Sequence, residues 1–108
     1  MQNKIKFKKI TDKELKALTL ILIEYINDTD IKTDDFHRIT VGFVLYELVE
    51  KKLKKLLQTN QKHSFSLSVH YATALYIALE QTFYTDDFSK HVKRKLQTTI
   101  QDYFLNKM

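Results

Sequence analysis

Residues 4–15 read Lys4-Ile-Lys-Phe-Lys-Lys-Ile-Thr-Asp-Lys-Glu-Leu15, and the fold turns on where regular structure begins within them. From Thr11 onward the pattern is helical. Thr11-Asp-Lys-Glu14 is a capping box, in which the Thr11 hydroxyl accepts from the Glu14 N–H and the Glu14 carboxylate reaches back to the Thr11 N–H. Ile10 and Leu15 stand where a hydrophobic staple would place them. Leu15, Leu18, Leu22, Tyr25 and Ile26 then recur at spacings of three and four, while Leu20, Ile21 and Ile23 widen the stripe beyond one face. Upstream, residues 4–10 start with a period of two. A lone strand has no partner in a chain whose remainder reads as helix. The segment is therefore either a flexible arm or a strand that pairs with another molecule, and the arm is the preferred reading. This gives a basic N-terminal arm over residues 1–10 and a single helical-bundle domain over 11–108.

Three more helices follow. The second starts after Thr33-Asp-Asp-Phe36, carries Ile39, Phe43, Tyr46, Val49, Leu53, Leu56 and Leu57 on one stripe, and ends near Asn60. The third runs from about Ser66 to Phe83. It is apolar nearly all round, with Ala72, Ala74 and Ala78 allowing close neighbours, so it is expected to be the most buried. The fourth starts after Thr85-Asp-Asp-Phe88, with Phe88, Val92, Leu96, Ile100, Tyr103 and Phe104 as its stripe. The chain has no proline and one glycine. A β-rich fold needs turn residues at many corners, whereas a helical one with few loops needs almost none. The expected fold is an all-α antiparallel four-helix bundle. Its 108 residues, 44% of them hydrophobic, suffice for one modest core without a disulfide or metal.

Thr-Asp-Asp-Phe occurs twice, at 33–36 and 85–88. Each copy offers a Thr or Asp cap, acids at the positive end of the helix dipole and a Phe to enter the core. Two pseudo-repeated helical hairpins would explain this, and so would two independent caps. Short loops favour up-down-up-down topology. That would gather Asp28, Asp30, Asp34, Asp35, Glu80, Asp86 and Asp87 at one end. The arm and the Lys51–Lys55 region would lie at the other.

Several chemistries are disfavoured. There is no cysteine, hence no disulfide, thiolate site or cysteine nucleophile. Its absence fits a reducing, cytoplasmic setting. Asp12 and Glu14 interrupt the approach to the apolar Leu20–Ile23 run, which argues against a signal peptide. The longest mostly apolar stretch, Leu67–Leu79, is too short to span a bilayer, so no membrane partner is expected. Carboxylate-bridged metal sites in bundles use Glu-x-x-His pairs. Here only Asp34-x-x-His37 and Asp87-x-x-x-His91 come near, both at helix starts, while Glu24, Glu47, Glu50, Glu80 and Asp102 form no repeated inward set. No metal or other cofactor is expected. His70, on the apolar third helix, reads as a core histidine satisfied by a hydroxyl or carbonyl. Arg38 and Arg94 lack the histidine a few residues on that some helical ribonucleases use, and no glycine-rich phosphate loop exists.

Two readings of function remain, neither of them enzymatic. The net charge of +5 and pI near 9.3 attract phosphate. Lys51, Lys52, Lys54 and Lys55 at the end of the second helix, with Lys90, Lys93 and Arg94 on the fourth, are the candidate phosphate contacts of a nucleic-acid-binding module. Against it, lysines near a helix C-terminus have a local reason in the dipole, and base reading favours arginine, of which there are two. The preferred reading is a small interaction or regulatory accessory protein. Its partner is another protein or a second copy of itself, through the surplus apolar surface of the first helix or through the arm. Gly42, inside the second helix, has two equal readings: a close contact with Ala72, Ala74 or Ala78, or a tolerated accident.

Overall fold

The computed structural model describes residues 4–57, 63–82, 84 and 86–107. Its elements are β1 (Lys4–Ile10), α1 (Asp12–Asn27), α2 (Phe36–Leu48), β2 (His63–Ser68), α3 (Val69–Gln81) and α4 (Asp87–Lys107). Below α2 the rod continues through a π-helical stretch, Val49–Leu53, and one further turn, Lys54–Leu56. The expected all-α bundle is therefore corrected: the four helices pack against one face of a two-stranded antiparallel sheet. The segment taken for a basic arm is β1. Its partner is within the chain, with Lys4 opposite Ser68, Ile5 opposite Leu67, Lys6 opposite Ser66 and Phe7 opposite Phe65. The third helix begins three residues later than expected because Ser66–Ser68 belong to β2. Ser68 is the cap, accepting from the Tyr71 N–H. That helix ends at Gln81; Asn60 and Phe83, the expected ends of two helices, lie outside the described residues.

Alternation explains the sheet. Ile5, Phe7 and Ile10 from β1, with His63, Phe65 and Leu67 from β2, point to one face and are buried. The Phe7 and Phe65 rings stack with centroids 5.4 Å apart. The period breaks between Phe7 and Ile10, where the register shifts and Lys9 takes φ 57°. This bulge keeps Ile10 on the buried face despite its odd spacing.

The helices close over that face. α1 starts with the complete capping box, Glu14 N–H to Thr11 Oγ1 at 3.1 Å and Thr11 N–H to Glu14 Oε1 at 2.9 Å. It buries Leu15, Leu18, Ile21, Leu22 and Tyr25. α2 and α3 run antiparallel: Tyr71 at the start of α3 donates to Glu47 at the end of α2, 2.7 Å. α4 runs back along α3, with Gln97 donating to Glu80 and Gln101 to the Tyr76 hydroxyl. It begins beside the start of α1, where Lys13 lies over the Phe88 ring and His91 meets Glu14. Asp86 and Asp87 thus lie toward the start of α1, and not at its far end with Asp28 and Asp30 as the simple up-down arrangement required.

Three further expectations change. The two Thr-Asp-Asp-Phe copies work in different registers. In the first, the second aspartate, Asp35, caps α2 by accepting from the Arg38 N–H. In the second, the first aspartate, Asp86, accepts from the Ser89 N–H. Phe88 consequently packs on the core while Phe36 stands 84% exposed. On α2 the buried stripe is Val41, Gly42, Leu45 and Leu48. The core then continues through Val49 and Leu53, which the wide π turn (Lys54 N–H bonded five residues back to Val49) holds on the inner side. Phe43 and Tyr46, expected on the core stripe, face outward.

Gly42 meets Thr29 and not the α3 alanines. A Cβ there would lie 3.2 Å from Thr29 Oγ1 and 3.4 Å from its Cγ2, and that hydroxyl is fixed by donation to the Tyr25 carbonyl. Gly42→Ala alone should therefore give little of the roughly 1 kcal/mol that alanine gains over glycine in a helix. In a Thr29→Ala background the gain should appear in full. Urea denaturation of the double-mutant cycle checks this; purely additive effects would rule out the contact.

Candidate interaction surface

The apolar residues that the core leaves over collect in two grooves. One lies between the end of α1 and α2, lined by Ile26, Ile31, Ile39, Phe43 and Tyr46 with Gly42 and Thr29 in its floor, a space of about 290 Å³. Ile31, Phe43 and Tyr46 are 69%, 62% and 56% exposed. The other groove, about 480 Å³, runs between α3 and α4 over Tyr76, Ile77, Ile100, Phe104 and Leu105. None of the described residues lining either groove carries a formal charge. The surplus apolar surface anticipated on α1 thus lies mainly elsewhere: Ile21 is buried and Ile23 packs on the core, leaving Leu20 exposed.

The expected phosphate contacts are dispersed. Lys51 pairs with Glu47 and Lys54 with Glu50 one turn away. Lys52 turns its ammonium to the Ser66 carbonyl of β2; burial, with help from Lys4, lowers its pKa. Lys55 is exposed. Lys90, Lys93 and Arg94 do come together, lining a shallow depression of about 280 Å³ with Gln97 on α4. Of these residues, Lys90 and Lys93 also edge a smaller recess with Glu80, Thr82 and Tyr84.

His70 is exposed, its ring against Tyr71, so it is not the core histidine. That place belongs to His63, which the sequence reading did not single out. Its Nε2 lies 3.6 Å from Asp12 Oδ1, and both atoms are shielded from solvent. The period-two placement of His63 with Phe65 and Leu67 was the signal available for it.

Polar groups otherwise converge on Glu14. This buried carboxylate accepts from the Thr11 N–H, from Lys95 at 2.8 Å and from His91 at 2.7 Å. Lys95 also donates to the Lys9 carbonyl. Burial alone would raise the Glu14 pKa, but the Lys95, Thr11 and His91 hydrogen bonds outweigh it and hold it at about 2, against an ordinary 4.5. The cluster joins the β1–α1 corner to α4. A second polar niche holds Arg38, stacked 3.6 Å over the Tyr25 ring and donating to the Tyr25 carbonyl. Beside it the Tyr25 hydroxyl donates to Gln81. Among the described residues no group of three or more His, Asp or Glu side chains could hold a metal ion, and no helix is long and apolar enough to cross a membrane.

No protein-family model, curated protein or solved structure matches the chain.

The Glu14 cluster fixes an acid response. A carboxylate whose folded pKa is depressed stabilises the fold above its unfolded pKa and loses that contribution as pH falls toward the folded value. Stability should therefore decline between about pH 4.5 and pH 2. Glu14→Gln should flatten that decline and lower stability at pH 7 by about 1 kcal/mol or more, since it weakens the cap and leaves Lys95 without its anion. Urea midpoints across pH 2–7 for both proteins test this.

Proposed function

We propose that this chain acts by binding and not by catalysis, as a small interaction protein that self-associates through its apolar helical face. The observation that carries the reading is the α1–α2 groove, where Ile31, Phe43 and Tyr46 stay more than half exposed around a glycine floor. Large aromatic side chains on a surface mark a place where another surface fits. A second copy is the occupant favoured by charge. A chain of net charge +5 repels its own copies over most orientations, but among the described residues the grooves present no lysine to face another. Phe36 and Leu105, 84% and 66% exposed, supply side chains of a size to enter a groove on the partner copy. The absence of cysteine fits work in a reducing cytoplasm.

Sedimentation velocity over about 1–200 μM should show a concentration-dependent dimer. Phe43→Glu, at an exposed site, should abolish it and leave the thermal midpoint near that of the parent, because surface substitutions usually move stability by no more than about 0.5 kcal/mol. A parent that stays monomeric throughout, or a Phe43→Glu variant that dimerises equally well, would overturn self-association through this face.

A further inference from the structure

The outward face of the sheet has no place in the reading above. β1 alternates through Phe7, so its burial of Ile5 and Phe7 turns Lys4 and Lys6 to the opposite side; Lys8 follows at the start of the bulge, and all three are exposed. The register sets Lys4 beside Ser68 and Lys6 beside Ser66 on β2. Directly opposite residues share a face, so the outward surface is a row of ammonium groups flanked by a row of hydroxyls.

The charge on this face is uncompensated. Lys16, Lys51, Lys54 and Lys95 each meet a carboxylate. Among the described residues, Lys4, Lys6 and Lys8 meet none. The sequence adjoining the two strands, residues 1–3 and 58–62, contains no acid either. Lys52 stands at the flank with its Nζ on the Ser66 carbonyl oxygen, near enough to Lys4 for the two charges to repel. Such a concentration of like charge opposes folding and is relieved when a polyanion covers it.

We propose that this face binds a single-stranded nucleic acid through its phosphodiester backbone, without reading sequence. Every second residue of a strand repeats at about 7 Å, which is the order of the phosphate–phosphate separation along one nucleic-acid strand. Lys4 and Lys6 thus meet two successive phosphates, Lys8 at the bulge takes the next, and the Ser66 and Ser68 hydroxyls donate to the oxygens between them. The sheet's phenylalanines, Phe7 and Phe65, are turned into the core, so among the described residues the strands turn no ring outward for base stacking and recognition stops at the backbone.

Fluorescence anisotropy of labelled oligo-dT and oligo-rU, titrated with the full chain from 20 to 200 mM KCl, tests this. Neutralising three phosphates of a single strand gives a log–log salt dependence with a slope of about 2 in magnitude. Charge reversal of the row, Lys4→Glu with Lys6→Glu and Lys8→Glu, should weaken binding at least tenfold and flatten that slope. Lys→Gln at the same three positions should weaken it less, and serves as the informative variant should the reversed chain misfold. Reversal of Lys90, Lys93 and Arg94 should have the smaller effect. Phe43→Glu should leave binding unchanged, which separates this site from the apolar face. The proposal fails if no oligonucleotide binds at 20 mM salt, or if the α4 reversal proves the more damaging. It also fails if polyglutamate competes equally well at equal charge, since the face would then be a seat for acidic protein segments.

Discussion

A single buried carboxylate ties together parts of this fold that the chain keeps far apart. Glu14 lies in the first turn of α1, yet its oxygens are shared among the Thr11 N–H, Lys95 and His91. Lys95 reaches on to the Lys9 carbonyl, in the bulge that brings Ile10 back onto the core face. One ion pair therefore fixes where β1 stops, where α1 starts and where α4 crosses them both. A buried charge is tolerable only when its partners are close and numerous. This geometry supplies three donors for one carboxylate, with the depressed pKa as its signature.

The local parts of this arrangement were legible in the sequence and the distant parts were not. The capping box at Thr11–Glu14 announced itself because its partners are three residues apart, and both of its bonds are present. The apolar spacing of α1 and α4 was readable for the same reason: Leu15, Leu18 and Leu22, like Val92, Leu96 and Ile100, are core residues. The sheet was hidden because β1 and β2 lie on either side of α1 and α2, so neither strand has its partner within any local window. His63, Phe65 and Leu67 do alternate with Ser64, Ser66 and Ser68. That run flows without a break into the apolar start of α3, where a short apolar alternation is indistinguishable from a buried helix.

α2 shows a different limit. Its apolar residues surround the helix, so periodicity allowed two stripes, one through Val41, Leu45 and Leu48 and another through Ile39, Phe43 and Tyr46. Packing against α1 and α3 chose the first. The second became the wall of the α1–α2 groove. The candidate surface was thus present in the sequence as residues but not as a surface, because which stripe is left outside is decided by tertiary contacts. The lysines illustrate the same point. Lys51 and Lys54 each have an acid four residues earlier, a relation visible in the sequence that quiets them as phosphate contacts. The outward alternation of Lys4 and Lys6, with Lys8 at the bulge, acquires meaning only once β2 lies beside them.

The separation of β1 from β2 also sets an order of events in time. The α1–α2 hairpin and the α3–α4 pair rest on contacts between neighbours in the chain, which little loop entropy opposes. β1 is made before β2 and cannot pair until β2 exists. Ile5, Phe7 and Ile10 must wait, unpaired, until His63–Ser68 has been made and Lys95 is available to clamp the corner. Residues 4–10 thus reach their final surroundings only after residues 63–68 and 95 have been made. A lysine at nearly every alternate place keeps the waiting strand in water, so the pattern that decorates the finished sheet also protects the chain before the sheet exists.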